Sequence, residues 1–424
     1  MLSKSALAFS ASSFLLAGAL VGCGDDTSGS GGSGGGDGGG STTTSTTATS
    51  TTSSTTSTTT GAGGEGGGAP ACVVTPASSY DGTSFATNAA GALDMRARLS
   101  ALNAAMLAAE QNLTVTPTEA ELDALYDAGT PSLRNLTSPY YAGVVDGVFT
   151  RFAAAAGNTW APAVTPVPPG GKYGNYIFDE RGLDLRQIVE KGLFEALFYR
   201  RFAQLAAEDL DAAKLDELLA LYGAHPDFPG VSEAAPVVTN PDRLAAQYLE
   251  RRSQKDPADP SQPLDPANPG PYFRVKADFI FAQAALAEGS PDCVAAAEEA
   301  VLRIRDEWER GIAATLIYYL NAAAVNLGTD GATDVQLANG LHGYGEGVAF
   351  VWGFRQLPQE HRTITDAQID ALLATVKSPV GAPSTAFELV TDSSTIAVLV
   401  EGIADLKALY GFSDAEVELF KTNF

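Results

Sequence analysis

The sequence predicts an all-α protein, a bundle of about ten helices that the length of the folded part allows to be one large core or two fused bundles. Three observations carry this. Ala and Leu dominate from about residue 71 onward, runs of alternating β-branched residues are rare, and apolar residues recur at helical spacing between loops marked by proline and glycine.

Each element follows from its own pattern. Leu99, Leu102 and Met106 form a stripe in a first helix over about 87–111, with shorter helices over 116–128 and 141–156. A Pro/Gly-rich stretch, 158–174, reads as a loop. A strong helix follows over 183–207, then another over 212–222 that Gly223 and Pro226 end. Pro241 opens a helix to about Arg252, and the loop 255–272 carries three Asp-Pro steps. Its Asp256, Asp259 and Asp265 do not have the spacing of a known calcium loop. Val301, Ile304, Trp308, Ile312, Thr315 and Tyr319 share one stripe, and 311–325 is apolar almost all round, which places it inside the bundle. A second such helix spans 337–354. Thr365 and Gln368 make a capping-box start for the next helix, through about 375, and the last helix covers about 395–409 before Gly411.

Ahead of the helical part lies a different kind of sequence. Lys4, an apolar run from about Ala6, and Leu20-Val21-Gly22-Cys23 predict a lipoprotein signal peptide over 1–22, with Cys23 as the acylated new N-terminus and the membrane as partner through that anchor. Gly24 rather than Asp follows the cysteine, which favours the outer membrane of a cell envelope. From Thr27 to Pro70, 38 of 44 residues are Gly, Ser or Thr, so 23–70 is expected to be a disordered tether for a domain over 71–424. Gly31-Gly-Ser33-Gly-Gly35 matches a serine-hydrolase pattern, but no strand or helix signal flanks it.

The chain carries a formal net charge of −24. Four acids and one base precede residue 71, so the domain holds 46 acids against 25 bases. That balance argues against nucleic acid and against docking on anionic lipid headgroups. Apart from Cys23, only Cys72 and Cys293 remain, an isolated pair that an exported protein would join as a disulfide.

Three histidines, His225, His342 and His361, exclude any multi-histidine centre. No His-Glu-x-x-His, Cys-x-x-Cys or phosphate-loop signature is present. The one suggestive constellation is Gly340-Leu-His342-Gly-Tyr-Gly-Glu346-Gly, which puts an imidazole and a carboxylate on one helical face. They could share a cation, with Glu190 and Glu309 as carboxylates from neighbouring helices and iron or zinc as the better-suited metals. They could equally be a structural hydrogen-bonded pair, since a buried carboxylate needs a partner of some kind.

Several strings resemble the bacterial domain-of-unknown-function family numbered 4856. They are Tyr80-Asp-Gly-Thr-Ser-Phe85, Gly182-Leu-Asp-Leu-Arg-Gln187-Ile-Val-Glu190-Lys191-Gly192, Leu221-Tyr-Gly-Ala-His-Pro-Asp-Phe-Pro229, Trp308-Glu through Asn321, and His342 with Glu346 and Phe350. The resemblance spans nearly all of 78–424 in order, and it implies an architecture without an assigned activity. The family's His-His-Trp-rich segment is replaced here by Ala213-Lys-Leu-Asp-Glu217. More distantly, Gly340-x-His342 with a following glutamate is similar to the Gly-x-His-x-x-Glu motif of imelysin-like proteins, exported α-helical proteins linked to iron uptake, with Gly345 where that glutamate would stand. Three functions are therefore expected to compete: capture of a metal or metal complex at the envelope as an accessory of iron acquisition, a structural or protein-binding surface module with an envelope partner, and an imelysin-like peptidase.

Overall fold

A computed structural model of the chain describes residues 72–230 and 240–424. The expected signal peptide, Cys23 and the tract up to residue 70 lie outside the described residues. Within them the fold is all-α, and they all belong to one compact unit.

The centre is the helix Pro291–Leu327, 37 residues long, with Pro291 in its first turn, where a missing N–H costs nothing. It packs against Pro271–Glu288, Leu244–Arg251, Asp334–Gly353 and Ala397–Tyr410. Trp308, Ile312 and Tyr319 of the expected stripe are buried, and Trp308 is enclosed edge-on by Tyr199, Phe202 and Tyr222. Close helix approach explains the glycines. A Cβ on Gly347 would stand 2.6 Å from Leu316 Cδ1, and one on Gly311 would stand 2.3 Å from Leu249 Cγ. The capping boxes act where the sequence puts them: Thr365 Oγ1 accepts from Gln368 N, and the Gln368 side chain accepts from Thr365 N.

Four features depart from the sequence reading. The loop 158–174 ends in a hairpin, Gly171–Tyr173 paired antiparallel with Tyr176–Phe178. Its strands are three residues each, too short to show an alternation. The helix expected over 183–207 is interrupted by a π-helical stretch, Phe194–Tyr199. A helix Pro271–Glu288 starts where the Asp-Pro loop ends, and Ser413 caps one more, Asp414–Phe420, after the expected last one. No helix of the described residues is long and apolar enough to cross a membrane.

Cys72 and Cys293 are joined by a disulfide, with Cα atoms 4.7 Å apart. It fastens the first described residue to the start of the central helix.

Candidate functional site

The helix Asp334–Gly353 begins with a capping box at Thr333 and is buried continuously from Gly340 to Val351. His342 and Glu346 therefore sit within the bundle. Facing them is the helix Leu185–Leu193, buried at every position, whose N-cap is Asp184. One oxygen of Asp184 accepts from Gln187 N at 3.1 Å; the other lies 2.8 Å from His342 Nδ1. Gly345 allows this approach, because a Cβ there would stand 2.9 Å from that of Asp184. Where the imelysin motif would place a glutamate, a carboxylate thus arrives from the neighbouring helix. The hairpin closes the other side: the Tyr176 ring stacks on the imidazole at 3.9 Å and 6°.

From His342 a chain of charges runs inward. His342 Nε2 is 3.7 Å from Glu346, Glu346 is 3.2 Å from Lys191 Nζ, and Lys191 is 3.1 Å from Glu190. Glu190 accepts from Arg186 at 2.8 Å, and Arg186 Nε donates to Glu110 at 2.7 Å. Tyr248 OH stands 2.6 Å from the Lys191 ammonium, and Ile177 N donates to Glu110. Four carboxylates (Glu110, Asp184, Glu190 and Glu346) thus face Arg186, Lys191 and His342, and all seven residues are buried.

The structure places the four candidate metal ligands as follows. The cation between Glu190 and Glu346 is the chain's own Lys191. Glu309 is not part of the cluster: its carboxylate accepts from Thr363 N and Ile364 N at 2.7 Å each, and from Tyr410 OH at 2.8 Å, which pins the segment before the Thr365 cap. Among the described residues, no group of three or more His, Cys, Asp or Glu side chains is placed to hold a metal ion. His225 is a loop residue beside Asp227, whereas His361 ends a short 3-10 turn, Gln359–His361, and accepts from Tyr199 OH through its backbone oxygen. Asp216, in the segment that departs from the resembled family, accepts from Tyr80 OH and Asn88 Nδ2 and ties down the start of the domain.

Burial sets the proton affinities here. Desolvation pushes the Glu110 carboxyl up to about 7, against the pull of Arg186. At His342, burial disfavours the charged ring, but Glu346 and Asp184 outweigh it and the pKa rises. Glu195, in the π-helical stretch, is fully buried, and desolvation holds its carboxyl well above the ordinary range, outweighing the nearby Trp308 indole and Lys191 ammonium. Each of these groups binds its proton more tightly in the folded chain than in the unfolded one, so stability falls as pH rises through the interval between the two values. Exposed caps act oppositely: Ser413 and Thr118 lower the pKa of Glu416 and Glu121, so their contribution is lost in stronger acid. Thermal unfolding should therefore show a maximum near about pH 5 and decline toward pH 8, by about 1.4 kcal/mol per pH unit for each extra proton retained. Glu195→Gln should flatten the decline. A melting temperature that rises steadily from pH 5 to pH 8 would contradict this assignment.

An open pocket of about 180 Å³ is lined by the turn that precedes Asp184 and by the loop 378–384. Asp179 forms its floor, accepting from Arg181 N and Leu183 N through one oxygen and from Arg151 at 2.7 Å through the other. Phe387 N donates to Arg181 O and latches the two walls together. Trp352 closes the side, its Nε1 donating to Tyr140 OH at 3.0 Å. Ser378 and Ser384 line the loop wall. None of these residues is singled out by the sequence reading. The available signals were weak: a turn at Asp179-Glu-Arg-Gly182 and a Pro/Gly loop at Pro379–Pro383.

No protein-family model matches the chain, and no curated protein or solved structure is significantly similar to it. The family resemblance therefore stands on its sequence motifs alone.

Proposed function

We propose that the chain is a lipid-anchored binding protein of the cell envelope, a non-enzymatic module held by Cys23 and the 23–70 tract, with the Arg151–Trp352 pocket as its ligand-facing feature. One observation supports this over the metal-capture and peptidase readings. The buried Lys191 ammonium occupies the space between Glu190 and Glu346, so the histidine motif is neutralised from within. A water-activating or metal-holding site would need an open coordination position or a nucleophile beside a base. The cluster instead stiffens the bundle on which the pocket is built.

Calorimetric titration of the protein with zinc and ferrous ions should give no saturable heat. A one-to-one heat that His342→Ala removes would restore the metal reading. On fractionation, the parent chain should pellet with membranes and the Cys23→Ser variant should be released.

A further inference from the structure

We infer that the Arg151–Trp352 pocket takes a small, neutral, polyhydroxylated ring, a single sugar residue or its chemical equivalent; this rests on the binding-protein reading above. The charges of the pocket decide the class. Arg151 is paired with Asp179 at 2.7 Å and Arg181 faces Glu180 at 3.6 Å, so the polar wall is two guanidinium–carboxylate pairs with no net charge. A phosphate or carboxylate ligand would bring its charge against Asp179 and Glu180. An amine would meet the two guanidinium groups. A ligand that both donates and accepts hydrogen bonds while carrying no charge suits the three partly exposed groups, Arg151, Glu180 and Arg181, because planar side chains can engage neighbouring hydroxyls two at a time.

Size and shape point the same way. A volume of about 180 Å³ is small for a ligand pocket and suits one ring better than a peptide. Trp352 and the prolines 379 and 383 also line the pocket and give apolar surface for the ring's carbon face. The pocket is formed in advance. Asp179 is buried and triply bonded, Trp352 is fixed by Tyr140, and Tyr140 is backed by the Arg355 guanidinium 4.8 Å from its ring centre. Preorganised walls of this kind leave little ordering cost to binding.

The chain has only three tryptophans, and Trp308 and Trp160 are buried away from the pocket, so a ligand-induced change in fluorescence reports chiefly on Trp352. The full chain is titrated with glucose, galactose, mannose and N-acetylglucosamine, and in parallel with inorganic phosphate and with glutamate. At least one sugar should give a saturable fluorescence change, confirmed by calorimetry. Trp352→Phe should abolish the optical signal while calorimetric binding persists. Arg181→Ala should weaken binding roughly tenfold or more. Ala382→Phe, a change at an exposed position on the rim, should block it without lowering the melting temperature. Saturable binding of phosphate or glutamate in place of the sugars overturns the neutral-ring inference and leaves the binding role of the pocket standing. No response to any of the three classes overturns both. Sugar binding undiminished by Ala382→Phe overturns the location.

Discussion

Replacing Lys191 with methionine should destabilise the domain by about 3–5 kcal/mol, the cost of removing one partner from a buried ion pair. The ammonium touches Glu190, Glu346 and Tyr248 OH, and the side chain is 7% exposed, so no water takes its place when it goes. Methionine fills the volume but takes from Glu190 and Glu346 the ammonium they share, leaving them Arg186 and His342 as cationic neighbours. Lys191→Met combined with Glu346→Gln should recover part of the loss, because the double variant removes a charge that the single one strands. Urea unfolding of the four proteins at pH 7 measures the coupling. A Lys191→Met loss below about 1 kcal/mol would mean that Lys191 contributes little to the cluster.

Removing the disulfide should have an effect of similar size through a different state. Cys72 and Cys293 are 221 positions apart, and on the chain-entropy view closing so long a loop removes about 5 kcal/mol of freedom from the unfolded chain. Cys72→Ser, Cys293→Ser and the double variant should therefore lose similar stability, about 2–5 kcal/mol, with the native contacts of the central helix retained. Native-state hydrogen exchange should show new fraying confined to about residues 72–89 and the first turns of Pro291–Leu327. Two free thiols in the unreduced, denatured parent would remove the basis for this expectation.

Much of the helical framework could be read from the chain because its signals are local. The Thr365–Gln368 cap, the stripe from Val301 to Tyr319 and the Gly223 stop each depend on residues a few positions apart. The His342–Glu346 pair was legible for the same reason, being one helical turn apart. Its meaning was not. Asp184 comes from 158 residues away and Lys191 lies on that same distant helix, so the sequence states that a buried carboxylate needs a partner without naming it. Glu190 was visible as a candidate, but its own neighbours Arg186 and Lys191, which neutralise it, look from sequence like the charged side of a solvated helix. The π-helical stretch around Glu195 has no periodic signature, and the hairpin strands at 171–178 are too short for one. The pocket is assembled from two loops and one helix flank, where function gathers and periodicity is silent.

The position of the disulfide also sets how the domain carries mechanical force. Tension applied from the N-terminal side reaches Cys72 and crosses directly to Cys293, the third residue of the central helix. Everything between those cysteines, including Asp184, Lys191 and the Arg151–Asp179 floor of the pocket, sits on a covalent bypass and feels no direct pull. Strain is delivered instead along the axis of a 37-residue rod gripped on several sides by its neighbours. A domain pulled from its N-terminal side would be drawn by its stiffest part, with the Arg151–Asp179 pair kept out of the line of traction.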